Sequence, residues 1–118
     1  MALTACTQTK EDMLVGKWQV NCVTETIQAG GQTSTTQLPG YDNYTMEFVE
    51  EGYCAATVRG ERTIYTWYLV DDNTLVLTLD DWAEDYTINE LTKNRLVYSD
   101  TYSDGGTDRT YTFEYSKL

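Results

Sequence analysis

Carboxylates are the side chains of this sequence that could carry out acid–base chemistry, and their densest group surrounds one tryptophan. Trp82 lies in a segment that also holds Asp80, Asp81, Glu84 and Asp85. A pair of catalytic carboxylates must be held rigidly on either side of a substrate, whereas these four crowd one predicted loop. We therefore interpret the segment as a solvated loop with one anchoring aromatic side chain, rather than as a sugar-binding or hydrolase site.

The sequence also contains few groups of residues that could bind a metal ion. Asp100, Asp104 and Asp108 flank Gly105-Gly106, but their spacing differs from that of an EF-hand calcium loop, so a hairpin turn is the better interpretation. The sequence has no histidine and three dispersed cysteines, which excludes a Ser-His-Asp triad and leaves no zinc-binding pattern. We predict that the protein is not an enzyme and uses no catalytic residue, metal or cofactor.

The first residues indicate an export signal. Leu3-Thr4-Ala5-Cys6 matches a bacterial lipobox, in which the cysteine is lipidated once the signal peptide is cleaved before it. The charged and apolar regions of a signal peptide are missing upstream, so we interpret residues 1–9 as a lipoprotein signal remnant and tether. The domain itself would then occupy residues 10–118. The alternative is an ordinary N-terminus with a chance match.

The size and charge of the chain limit its partners. Its 118 residues suit one domain, and its net charge of −11 repels nucleic-acid phosphates and anionic lipid headgroups alike. We expect no nucleic-acid partner, and membrane contact only through an N-terminal lipid anchor. The expected location is therefore the cell envelope, either periplasmic or surface-exposed. The sequence does not identify a protein partner.

Alternating apolar and polar residues predict an all-β domain. Thr9 and Asp12 indicate a capped helical turn at residues 10–14, after which the alternation predicts eight antiparallel strands. A ninth strand is present if the Ser/Thr-rich segment Gln32 to Gln37 pairs at an edge. Pairing the last strand with the first would remove both exposed edges, which favours an up-and-down barrel over the alternative, a β-sandwich.

Two cysteines fall on the predicted strands. In the first strand, predicted at residues 15–27, Trp18, Val20 and Cys22 share the inward face. Cys54 also has inward parity on a later strand. The pair could form a disulfide in an oxidising compartment, or both could remain as small buried side chains, and the sequence leaves the two states open.

Five segments, taken in order, resemble those of the bacterial lipocalin-like lipoproteins, a family of small calycin-type β-barrels. They are Leu14 to Trp18, Tyr44 to Gly52, Tyr65 to Leu75, Ile88 to Leu96, and Tyr111 to Phe113. The resemblance covers nearly all of residues 10–118. It implies that Trp18 plugs one end of the barrel and that a cation from the last strand packs over its ring. Lys117 stands where that family usually has arginine, and both residues would be structural.

A barrel of eight strands is either filled by side chains or holds one small ligand. The inward residues that we expect to line a ligand site are Met46, Phe48, Tyr65, Trp67, Leu77, Tyr86, Tyr98, Tyr111 and Phe113. Their bulk favours a filled interior, whereas buried tyrosine hydroxyls, which need partners, favour a cavity. The favoured function is binding of a small hydrophobic or amphipathic molecule. The alternative is a filled barrel that binds glycan or protein through exposed aromatic residues such as Tyr41, Tyr53, Tyr68, Trp82 and Tyr102.

Overall fold

Nine strands follow a short helix in the computed structural model, which describes residues 9–118. The proposed lipidation site, Cys6, lies outside the described residues. The elements are α1 Lys10–Leu14, β1 Gly16–Ala29, β2 Gln32–Gln37, β3 Thr45–Phe48, β4 Tyr53–Val58, β5 Glu61–Asp71, β6 Thr74–Leu79, β7 Trp82–Leu91, β8 Arg95–Asp104 and β9 Thr107–Lys117. Within this part of the chain, no helix has the length and apolar character that crossing a membrane requires.

Eight of the strands close into an antiparallel barrel. Strands β3 to β9 each pair with the next, β3 pairs with β1, and β9 pairs back onto β1. This closure confirms the predicted up-and-down barrel and excludes the β-sandwich. The Ser/Thr-rich segment forms β2, a fully exposed ninth strand attached to β1 outside the closed ring.

The strands differ in length, and this difference gives the barrel two unlike ends. β3 pairs with residues 16–19 of β1, and β2 pairs with residues 24–29 along the same edge. Strands β2, β1, β9 and β8 therefore continue past their shorter neighbours as a four-stranded sheet, and the molecule measures 56 × 35 × 28 Å. We call the end from which this sheet rises the open end. The opposite end, which carries α1, is the closed end.

Trp18 is fully buried at the closed end, where α1 covers it. Its indole Nε1 donates a hydrogen bond of 2.8 Å to the carbonyl oxygen of Leu14, the last residue of α1. The helix begins at the predicted cap, because the Thr9 hydroxyl accepts a bond of 3.1 Å from the Asp12 amide. A single turn of helix is too short to be stable alone, so its packing on Trp18 must hold it in place.

Lys117 completes this closure. Its Nζ lies 4.5 Å from the centroid of the Trp18 ring and donates to the carbonyl oxygens of Met13, at 3.0 Å, and Val15, at 2.8 Å. Gly16 has a φ of +131°, and a Cβ at that position would lie 2.6 Å from Lys117 Cε. The positive φ favours glycine at position 16, and the absence of a side chain there leaves room for the end of Lys117.

The inward position predicted for Cys22 is wrong. A β-bulge between Val20 and Cys22 inserts one residue, so the inward side chain after Val20 is the fully buried Val23. The Cys22 thiol instead lies 3.2 Å from a carboxylate oxygen of Glu114. Cys54 is buried as expected, and both cysteines are free thiols.

Candidate functional site at the open end

The floor, middle and rim of the open end are three rows of side chains on the inward face of the protruding sheet. Directly paired residues of antiparallel strands point to the same face, so the register of β8, β9 and β1 defines these rows. The rows, from the floor to the rim, are Tyr98, Phe113 and Val23; Asp100, Tyr111 and Glu25; and Tyr102, Arg109 and Ile27.

The polar groups of the upper two rows are joined by hydrogen bonds to carboxylates. Tyr111 donates to Glu25 over 2.8 Å, and Arg109 lies 3.4 Å from the same carboxylate. On the adjacent strand pair, Tyr102 of β8 donates over 2.6 Å to Glu84 of β7. Both tyrosine hydroxyls thus use their O–H groups to donate to carboxylates. The hydroxyl and carboxylate oxygens keep free lone pairs that can accept further hydrogen bonds.

The pKa values reflect this arrangement. Burial, followed by a hydrogen bond with the Asp100 carboxyl, raises the pKa of Glu84. The hydrogen bond to Glu84 raises the pKa of Tyr102, and the bond to Glu25 raises that of Tyr111. Both phenols therefore remain protonated donors near neutral pH, and Glu84 gives up its proton less readily than an exposed glutamate does.

A cavity of about 220 Å³ lies among these rows, and its wall is mostly aromatic. Its lining residues are Tyr41, Tyr86, Asp100, Tyr102, Tyr111 and Phe113. The Phe113 ring meets the rings of Tyr86 and Tyr41 edge-on, with centroids 6.1 Å apart in both pairs. At about 30 Å³ for each molecule of liquid water, the cavity has the volume of roughly seven waters, which suits a small ligand.

Below this cavity the barrel is filled. Tyr98 and Tyr115 are fully buried, and their hydroxyl oxygens are 2.7 Å apart, so one hydroxyl donates a hydrogen bond to the other. The Tyr86 and Tyr98 rings are in contact, with centroids 4.8 Å apart, and form the boundary between the two regions. The deeper core contains Trp18, Met46, Phe48, Trp67, Leu75, Leu77 and Leu96. Paired hydroxyls thus satisfy buried tyrosines without the polar cavity that the sequence left open.

The nine residues expected to line a ligand site lie in different places. Three of them, Tyr86, Tyr111 and Phe113, line the open-end cavity. Tyr65 is half-buried near the rim, with its ring 6.3 Å from that of Trp82. The other five are buried in the filled part of the barrel: Met46, Phe48, Trp67, Leu77 and Tyr98.

Sequence reasoning missed several groups at the open end. Local composition predicts a turn at Asp100 and a loop at Trp82 and Glu84, whereas all three residues lie in strands. The sequence pattern predicts that Tyr102 belongs to the outer surface, whereas its hydroxyl bonds to Glu84 on the adjacent strand, although the residue is 49% exposed. The alternation Tyr98, Asp100, Tyr102 along β8 is the sequence signal that could have found them.

A second, larger crevice of about 580 Å³ lies on the outer flank of the barrel. It is formed where β1 is bulged and where residues 37–43 lead from β2 to β3. Its walls are mainly loop backbone and small or polar side chains, with Tyr41 shared between the crevice and the open-end cavity. Aromatic walls and convergent polar groups make the smaller cavity the better ligand site. No group of residues in the part described, 9–118, is arranged to hold a metal ion.

The fold and the matched sequence together define the class of protein. The model of the lipocalin-like domain family matches residues 14–98, and the chain belongs to this family. Among solved structures, bovine odorant-binding protein in complex with a selenium-containing odorant is 18% identical and has a TM-score of 0.57. That match covers 100% of this chain and 78% of the bovine chain, and it shows the shared fold.

A deswapped triple mutant of bovine odorant-binding protein is also similar, with 17% identity and a TM-score of 0.49 over 90% of this chain and 74% of that one. No curated protein matches the sequence.

Proposed function

We propose that this protein binds one small apolar or amphipathic molecule in the cavity at the open end of its barrel. The observation that carries the proposal is an open concavity of about 220 Å³ that five aromatic side chains line above a filled core. Binding pockets are typically apolar concavities with a few convergent polar groups, and this cavity fits that description at the small end of the range. Bovine odorant-binding protein, named for binding odorants, shares the fold.

The role is that of a binding protein and not of an enzyme. Tyr102 donates a hydrogen bond to Glu84, and burial and the nearby Asp100 carboxyl raise the pKa of Glu84. In this arrangement the carboxylates hold hydrogen-bond donors in place, so we assign them to recognition.

Calorimetry with 2-phenylethanol tests the proposal. This neutral aromatic alcohol suits the cavity in size and has one polar end. We expect one molecule to bind per chain. Phe113→Trp, which fills the cavity, should abolish binding. Tyr68→Trp is the matched control because Tyr68 is 51% exposed on the outer face of β5, and it should bind normally. Failure of the wild-type chain to bind, or equal binding by the Phe113→Trp variant, would contradict the proposal.

A surface-binding role is the second candidate, and one observation supports it. Tyr53, on β4, and Ile64 and Tyr68, on β5, are 55%, 46% and 51% exposed on adjacent strands of the outer wall. Exposed apolar side chains grouped in this way are typical of interaction surfaces. The double variant Tyr53→Ser/Tyr68→Ser should then lose binding to a glycan array or a protein partner while still binding 2-phenylethanol. Unchanged binding to those surfaces would contradict this candidate.

We also propose that the chain is a lipoprotein of a bacterial cell envelope, anchored through Cys6. The support is the Leu3-Thr4-Ala5-Cys6 motif. The test is to express the chain behind a bacterial lipoprotein signal peptide, joined ahead of Leu3, in cells fed an alkyne fatty acid. Labelling in the membrane fraction that is lost in Cys6→Ser but kept in Cys22→Ser supports the anchor. Labelling that persists in Cys6→Ser contradicts it.

A further inference from the structure

We infer that the open-end cavity selects a small organic cation, an alkylammonium or arylalkylammonium ion, over neutral and anionic molecules of the same shape. This inference rests on the proposed function, because it names the chemical class of the ligand for the same site. It depends on three features of the cavity: its charge, the direction of its hydrogen bonds and its aromatic walls.

The charge of the open end is negative. Asp100 lines the cavity, and Glu84 and Glu25 accept hydrogen bonds from two other lining residues, Tyr102 and Tyr111. Arg109 at the rim lies beside one of these carboxylates, Glu25. Glu84 on β7 accepts a hydrogen bond from Tyr102, which lies two residues from Asp100 on the adjacent strand β8, so a cation bound beside these two carboxylates would be attracted by both. The net charge of −11 on the whole chain attracts cations toward this end as well.

The hydrogen-bonding groups of the cavity also favour a cation. The Tyr102 and Tyr111 hydroxyls already donate to Glu84 and Glu25. The carboxylates keep free lone pairs, and in their ionised form they accept hydrogen bonds but cannot donate them. A ligand that brings N–H donors can satisfy them, whereas a carboxylate or phosphate ligand would add acceptors to a site already rich in them.

The aromatic walls add to the selectivity. Tyr41, Tyr86 and Phe113 form a contiguous group of rings in the cavity wall. Aromatic faces attract cations that lie within about 6 Å of the ring centre. Phe113, in the row beneath the carboxylates, lines the cavity and would contact the hydrocarbon part of the ligand.

Three probes of matched shape test this inference on the wild-type chain. They are 2-phenylethylammonium, 2-phenylethanol and phenylacetate, measured by calorimetry at neutral pH in low and in moderate salt. We expect the ammonium to bind about tenfold more tightly than the alcohol, the anion to bind most weakly, and added salt to weaken the ammonium alone. Equal affinity of the alcohol and the ammonium would overturn the inference while leaving the proposed function intact. If none of the three binds, both fall.

Charge-removing variants locate the selectivity. Asp100→Asn should weaken ammonium binding about tenfold while changing alcohol binding less than about twofold. The matched controls are Asp72→Asn, in the β5–β6 turn at the closed end, and Glu47→Gln, which is exposed on β3 near that end. Each control removes one negative charge, as Asp100→Asn does, and should keep the preference for ammonium. If they reduce it as much as Asp100→Asn does, the cavity is not the source of the selectivity.

Discussion

The two ends of this barrel are built from similar amino acids for different purposes. At the closed end, Trp18 and Lys117 have every polar atom satisfied within the protein, by backbone carbonyls and by the contact of the cation with the indole ring. At the open end, Tyr102 and Tyr111 are likewise hydrogen-bonded, but to carboxylates that still have accepting capacity. A satisfied aromatic cluster closes a fold, whereas a cluster with spare acceptors can recognise a ligand.

The difference arises from strand length. The short strands β3, β4 and β6 end where the core ends, while β1, β8 and β9 continue for several residues beyond it. Side chains on that extension keep the inward direction of the barrel but have no opposite wall to pack against. They consequently form an opening lined by half-exposed aromatic rings, which strands of equal length would not produce.

The comparison predicts that losing a tryptophan is far more costly at the closed end than at the open end. Trp18→Ala should lower the free energy of unfolding by about 3–5 kcal/mol, or abolish the cooperative transition, because it empties a fully buried site. Trp82→Ala, at a side chain 47% exposed, should cost less than about 1 kcal/mol. Urea denaturation measures both, and equal losses would refute the distinction between the ends.

The buried hydroxyl pair gives the next largest effect. Tyr98→Phe or Tyr115→Phe alone should cost about 1–3 kcal/mol, because each leaves the other hydroxyl buried without its partner at 2.7 Å. The double variant should cost less than the sum of the two, since it removes both groups. A double-mutant cycle in urea provides the measurement, and additive losses would show that the hydroxyls are satisfied elsewhere.

Lys117 should contribute a smaller amount to the same end. Lys117→Met removes two hydrogen bonds to carbonyl oxygens and the cation over Trp18, and we expect a loss of about 1–2 kcal/mol. Lys117→Arg is the control, because it restores a cation and donors in the last strand, and it should recover most of the loss. An unchanged urea midpoint in Lys117→Met would show that the lysine does not help to close the barrel.

The smallest effect has the opposite sign and is found at the open end. The pKa of Glu84 is raised from its ordinary 4.5, chiefly by burial and by Asp100 on β8, with Tyr102, Asp85 and Tyr86 also close to it. The folded protein therefore holds this proton more tightly than the unfolded chain does. The resulting stability is present below pH 4.5 and is lost as the pH rises through the raised pKa.

Glu84→Gln should accordingly stabilise the protein near neutral pH, by a few tenths of a kcal/mol once solvent screening is considered. The stability of the wild-type chain should fall relative to this variant as the pH rises from about 4 to 7. Thermal unfolding across that range, with Glu47→Gln as the control, measures the difference. Destabilisation by Glu84→Gln at neutral pH would mean that the native carboxylate is stabilising.

The sequence was sufficient for the barrel but not for its open end. Strand alternation has a period of two residues, so the inward positions of Met46, Phe48, Leu75 and Leu77 could be predicted from local pattern alone. The bulge before Cys22 could not be predicted, because one inserted residue leaves the composition of the strand unchanged while reversing its parity.

The acidic groups of the cavity were missed for a related reason. Asp100 and Glu84 are polar and lie near turn-forming sequences, so local composition favours loops. They are in strands because β8 pairs with β9 along its whole length and β6 pairs with β7 through residues 82–87. Which strand extends beyond the core depends on where its neighbouring strands end, and the alternation within one strand carries no information about that.

The central claim is that a ligand site lies at the open end above a filled core, and amide chemical shifts in the ¹⁵N-labelled chain test it most directly. On titration with 2-phenylethanol, we expect the largest shifts at Tyr86, Asp100 and Tyr111, with little change around Trp18 and Leu96. Shifts centred on Trp18 and Phe48, or confined to Tyr53 and Tyr68 on the outer wall, would contradict the claim.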